Sequence, residues 1–137
     1  MDDAPVTRAL LDYFSTHPAG IAAAYLFGSV ARGTASATSD GDLAVLFVTD
    51  PPRTLDAWPA ALSDDLTRVM GRHADLVVLN RTSLDLAMRV LRDGVLVFEG
   101  DRSARVRWEV RTRNEYWDLE PYLTDYRRPR ATADGAA

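Results

Sequence analysis

Three short apolar runs bounded by turn residues constrain this chain more than any other feature: IAAAYLF (Ile21 to Phe27), DLAVLFV (Asp42 to Val48) and ADLVVL (Ala74 to Leu79). Each has the length of a strand, and a continuous apolar run of that length suits a strand covered on both faces. Around them the spacing becomes helical. Val6, Leu10 and Phe14 stand at i, i+4 and i+8, with Pro5 suited to a first turn and His17-Pro18 and Gly20 as the stop. Leu55, Trp58, Leu62, Leu66 and Val69 predict a second helix ending at Gly71, with Pro59 tolerable only near its first turn. Leu84, Met88 and Leu91 form one face of a third helix, where Thr82 and Asp85 resemble a capping box and Gly94 marks the end. VLVFEG reads as a short strand or an extended turn.

From Arg102 to about Tyr126 the pattern is helical again, and Pro121 is expected to kink or split the helix. Its Val106, Val110, Tyr116, Trp117, Leu119 and Tyr122 are too many large groups for a solvated tail, so they are expected to pack on the sheet or on a partner. This alternation predicts an α/β (α+β) fold with a small mixed β-sheet flanked by helices. A chain of 137 residues fits one domain, placed here over residues 1–128, with a small, polar C-terminal tail over 129–137.

Composition removes several functions. There is no cysteine, which excludes zinc-thiolate sites, disulfide scaffolds and thiol nucleophiles. The net charge of -4 argues against broad binding to a nucleic-acid backbone. Arginines do cluster in DRSARVRWEVRTR (Asp101 to Arg113), read as a solvated helix face or a contact with an acidic protein surface. The start of the chain has no basic segment followed by a long apolar one, and no run reaches the ~20 residues of a membrane span, so a cytoplasmic protein is expected.

The chemistry concentrates in FGSVARGTASATSDGDLAVLF. Gly28 and Ser29 directly follow the first strand, where a glycine lets backbone N–H groups approach a phosphate and a hydroxyl adds one more bond. Arg32 can grip phosphate oxygens in bidentate fashion. Ten residues separate Ser29 from Asp40, and Asp42 stands two positions further on. On an extended strand they point the same way, with Cα atoms ~6.5 to 7 Å apart. Two such carboxylates repel each other unless a cation intervenes, and Mg²⁺ accepts their oxygens while keeping positions for substrate phosphates. Asp75, at the start of the third strand, is expected to add a third acid if that strand lies beside the second.

Each element has an ordinary reading when taken singly. Gly-Ser can be a turn, Asp-Gly-Asp a solvated loop and Asp75 a strand-edge acid. His73 reads as a turn or surface histidine, and Trp58 and the Tyr116-Trp117 pair as packing groups. Ser36, Thr38 and Ser39 can serve their own loop's backbone. The order and spacing of the elements carry more than any one of them.

GSVARGTASATSDGDLAVL resembles the signature of the DNA polymerase β-like nucleotidyltransferases, in particular the minimal MNT group, the antitoxin partners of HEPN-domain toxins. The resemblance runs from about Ile21 through RVLRDGVLVFEGDRSARVRWE, which is similar to the tail of MntA-like antitoxins. It implies that Gly28, Ser29 and Arg32 hold nucleotide phosphates. Asp40, Asp42 and Asp75 would bind Mg²⁺ or Mn²⁺, and Asp75 would also activate the acceptor hydroxyl. Gly41 departs from the family, which usually has a bulky apolar residue between the two acids.

The implied activity is transfer of AMP from ATP to a tyrosine hydroxyl of a cognate HEPN RNase toxin, which would silence it. Little of this chain extends beyond a catalytic head, so the acceptor is expected to bring its own binding surface. The alternative is a non-catalytic antitoxin that neutralises its partner by steric masking.

Overall fold

The computed structural model of the chain describes residues 4–16, 20–35, 39–50 and 57–127. His17, Pro18, Ser36, Thr38, Leu55, the side chains of Trp58 and Tyr122, and the tail over 129–137 lie outside the described residues and side chains.

Four strands form one mixed sheet: β1 (Ile21–Phe27), β2 (Gly41–Phe47), β3 (Ala74–Val78) and β4 (Val95–Glu99). Their order is β3-β2-β1-β4, with β1 antiparallel to both neighbours and β2 parallel to β3. All seven residues of β1 are buried, as expected of a central strand with both faces covered. Five helices accompany the sheet: α1 (Ala4–Thr16), α2 (Gly28–Arg32), α3 (Ala57–Met70), α4 (Leu84–Asp93) and α5 (Arg102–Arg127). The parallel step from β2 to β3 passes through α3, because parallel neighbours need a long crossover.

Strand alternation divides the core into two layers. Leu43, Val45 and Leu26 meet Leu10, Phe14 and Leu66 of α1 and α3. On the other face Tyr25, Phe27, Ala44 and Leu46 meet Ala87 and Val90 of α4 and Ala104 and Trp108 of α5. The small alanines of IAAAYLF let helices approach closely, and a register shift near Ala23 puts both Ala22 and Ala23 in the second layer. Phe14 stacks on Phe98 at 5.6 Å, and Tyr13 Oη donates to Asp65 Oδ2 at 2.8 Å, which ties α1 to α3. Burial and that hydrogen bond push the Tyr13 hydroxyl up to about 12.

Three local expectations need correction. The cap of α4 is Ser83, whose Oγ accepts from Leu86 N at 3.2 Å, not Thr82. The face α4 buries is Ala87 and Val90, with Leu86 and Leu91 beside them, rather than the row Leu84, Met88, Leu91. Small residues at the contact let the helix sit close to β1. Pro121 does not split α5, which is one helix over Arg102–Arg127. Its sheet-facing row is Ala104, Trp108 and Thr112, whereas Val106, Val110, Leu119 and above all Trp117 (74% exposed) point away from the core.

A polar network fastens α5. Tyr25 Oη donates to Glu109 Oε2 at 2.6 Å, and Arg105 bridges Glu109 at 2.8 Å and Glu99 at 2.5 Å. Part of the arginine cluster is therefore neutralised within the fold.

Candidate active site

The acids gather at the end of the sheet where β2 and β3 begin. Asp42 is the register partner of Phe27 on β1 and of Asp75 on β3. Residues in register share a face, and strands lie ~4.8 Å apart, so Asp42 and Asp75 stand side by side. The alternation of β2 puts Asp42 on the same face as Ala44 and Leu46, the face covered by α4 and α5. The pairing assumed from sequence between β2 and β3 is thus the one formed.

Asp40 is placed differently from expectation. The strand starts at Gly41, so Asp40 lies one residue before it, with its Oδ1 3.7 Å from His73 Nδ1. His73, read from sequence as a surface residue, is indeed exposed, yet it stands against an acid of the patch. Its carbonyl accepts from Gly41 N at 2.8 Å, and Arg72 Nη1 donates to Ser39 O at 3.0 Å. These bonds anchor the segment that leads into Asp40.

Gly28 is held by geometry at the centre of this patch. It has φ +77°, and a Cβ built on it would lie 2.1 Å from Asp42 Oδ2. The carboxylate of Asp42 therefore rests over the Gly28 backbone, where no other residue fits. Ser29 follows in the first turn of α2 and is half-buried. Arg32 closes that helix, exposed, before Gly33 caps it in the left-handed conformation. Gly41 is explained as well: the space a side chain would take is filled by Met70, whose Cε would lie 2.3 Å from an added Cβ.

The charge balance singles out Asp42. Partial burial first, then repulsion from Asp75 and Asp40, raises its pKa, while Arg89 and Arg32 oppose the rise. Arg89 is the residue that sequence reading missed. It sits on α4 with its guanidinium carbon 6.0 Å from the centroid of the Phe27 ring, and only the packing of α4 on β1 brings it there. Nothing in LDLAMRVLRD marks it among neighbouring arginines.

Among the described residues, no three His, Asp or Glu side chains stand close enough to enclose a metal ion by themselves. The donor set nevertheless suits Mg²⁺, which is commonly held by one or two carboxylates together with substrate phosphates rather than by a protein cage. A pair of adjacent, mutually repelling carboxylates beside a glycine turn meets that requirement.

Comparison with known proteins agrees with this arrangement. The sequence profile of the family described as "Polymerase beta, Nucleotidyltransferase" matches residues 9–103. No curated protein matches the chain by sequence. A chain of a toxin-antitoxin crystal structure with AMP-PNP superposes with a TM-score of 0.68 at 25% identity, covering 95% of this chain and 97% of that one. A chain of the complex between a tri-AMPylated Shewanella oneidensis HEPN toxin and an MNT antitoxin gives a TM-score of 0.66 at 21% identity, covering 98% of each. A structure assigned as a minimal nucleotidyltransferase is 30% identical over 69% of this chain and 95% of its own, with a TM-score of 0.51. The fold, the acid patch over a Gly-Ser turn and the profile match agree: this chain belongs to the polymerase β nucleotidyltransferase family and is of its minimal, MNT type.

Proposed function

We propose that the protein is a metal-dependent adenylyltransferase that moves AMP from ATP to a tyrosine hydroxyl of a cognate HEPN toxin, and so acts as an antitoxin. The observation that carries this reading is the contact of Asp42 with the Gly28 backbone, beside Asp75. It puts an acid pair against the Gly-Ser turn in a nucleotidyltransferase fold. The similarity to chains from complexes containing AMP-PNP and an AMPylated toxin supports adenylyl transfer and a HEPN partner.

In this reading Gly28 N–H, Ser29 and Arg32 hold the phosphates of ATP. Asp42 and Asp75, with Asp40 nearby, would hold Mg²⁺ or Mn²⁺ together with the substrate phosphates, and the metal would supply positive charge between the carboxylates and the phosphates. Asp75 is exposed at the patch, and its carboxylate takes the proton of the tyrosine hydroxyl, a group with a pKa of ~10 that needs such help at neutral pH. The tyrosine oxygen forms a bond to the α-phosphorus as the bond to the β-phosphate bridge breaks, and pyrophosphate leaves. With α-labelled ATP and the co-expressed toxin, label is expected on the toxin, and Asp40→Asn with Asp42→Asn abolishes it. Labelling retained in that double variant ends the proposal.

Steric masking is the second reading. It is favoured by the row of exposed apolar groups on α5, Val106, Val110 and Trp117, which offers a docking face with no need of chemistry. The two readings part on whether the double variant, with the complex equally stable, still protects cells. Protection would favour masking.

A further inference from the structure

Arg89 lies beside the acid patch and forms no salt bridge among the described residues; its contact is the ring of Phe27. Helix α4 buries Ala87 and Val90 against the sheet face that carries Asp42, which leaves Arg89 exposed on the turn between them. Its guanidinium carbon lies 6.0 Å from the centroid of the Phe27 ring. Phe27 is the residue immediately before Gly28 and the register partner of Asp42. The cation is therefore anchored on an aromatic face one step from the glycine turn and the acid pair.

Arg68, Arg92, Arg105 and Arg113 each pair with a carboxylate. Of the described arginines that do not, Arg89 and Arg32 are the two whose charge bears on Asp42. The two rise from different helices, α4 and α2, which touch each other, and both act on Asp42 from a distance. Both thus bear on one acid patch, each from its own helix.

A guanidinium laid against an aromatic ring keeps its plane defined and its edge N–H groups free, which suits bidentate contact with phosphate. The charge of Arg89 bears on Asp42 without a salt bridge between the two, so its N–H groups are not taken up by the acid patch.

We propose that Arg89 is a second nucleotide-binding cation, acting alongside Arg32, whose guanidinium on Phe27 takes oxygens of the non-transferred phosphates of ATP and holds the pyrophosphate as it forms. This rests on the nucleotidyltransferase reading of the site. Arg89 adds to that reading a residue with no place in the Gly-Ser and Asp-x-Asp signature.

The test measures binding of ATP and of AMP, each with Mg²⁺, to the full-length chain, with Arg89→Gln, Arg89→Lys and the surface control Arg92→Gln. Arg89→Gln is expected to weaken ATP about tenfold, or ~1.4 kcal/mol, while changing AMP less than about twofold. Arg89→Lys, which keeps the charge but loses the fork, falls between, and Arg92→Gln matches wild type. In the transfer assay the same order should be seen in KM for ATP.

If wild type binds ATP and Arg89→Gln binds it equally well, this inference is overturned and the nucleotidyltransferase reading stands. If Arg89→Gln weakens ATP and AMP alike, Arg89 only shapes the turn through Phe27, and the inference is again overturned. If wild type binds no ATP, the reading of the site itself fails.

Discussion

Replacing Gly28 with alanine probes the tightest contact at the acid patch. A Cβ at this position would lie 2.1 Å from Asp42 Oδ2 and 3.0 Å from its Cγ, on a backbone at φ +77°. Two penalties combine. The left-handed conformation costs an L-residue ~1–2 kcal/mol. The carboxylate must also retreat by roughly 1.3 Å to reach ordinary van der Waals contact, and a short aspartate can do so only by leaving its rotamer, at ~0.5–1.5 kcal/mol. Together they amount to about 2–3 kcal/mol, or roughly 10 °C in melting temperature for a domain of this size.

Gly33→Ala separates the two terms, because Gly33 has φ +72° but nothing within 4 Å of an added Cβ. It carries the backbone strain alone. In an Asp42→Ala background the contact term should disappear, so that Gly28→Ala then costs about as much as Gly33→Ala. Transfer activity should fall about 10²-fold in Gly28→Ala, since displacement of a catalytic group by about 1 Å has that order of effect. Denaturant unfolding of the four variants and labelled-ATP transfer measure both quantities. The reasoning is refuted if Gly28→Ala destabilises no more than Gly33→Ala with Asp42 present, or if it transfers AMP at the wild-type rate.

At Gly41 the obstacle is the flexible end of Met70, so Gly41→Ala should change unfolding stability by less than about 1 kcal/mol, and Gly41→Val should be tolerated once Met70→Ala clears the space. A loss above about 3 kcal/mol for Gly41→Ala would show that this space cannot be yielded. Glu109 gives a pH prediction. Burial pushes its carboxyl up, but hydrogen bonds from Tyr25 and Arg105 outweigh that and hold it below the ordinary range. The folded state then binds fewer protons than the unfolded chain, so this stabilisation is complete above the ordinary glutamate value of 4.5 and is lost as pH falls through the lowered folded value. Tyr25→Phe should cost ~1–3 kcal/mol at neutral pH and move the acid-unfolding midpoint upward. An unchanged midpoint would remove the network from the account of how α5 is held.

Local pattern in the chain determined the elements themselves. IAAAYLF, DLAVLFV and ADLVVL became β1, β2 and β3 within a residue or two, because a short apolar run between turn residues has few other stable outcomes. Asp40 and Asp42 stood out because two carboxylates at that spacing repel each other, and Gly28-Ser29 and Asp75 because of where they fall at strand ends. What tertiary structure alone decided is which groups face one another across chain segments. The parallel register sets Asp42 beside Asp75, the Asp42 carboxylate lies on the Gly28 backbone, and Met70 occupies the space over Gly41.

Arg89 and the helix faces belong to the same class. One arginine among several becomes a neighbour of Phe27 only when α4 settles its small residues on β1, and α5 turns Trp108 inward and Trp117 outward by its contact with the sheet. Periodicity within a segment records local geometry, whereas rotation about a helix axis and register between distant strands are set by long-range packing, which leaves no mark at any single position.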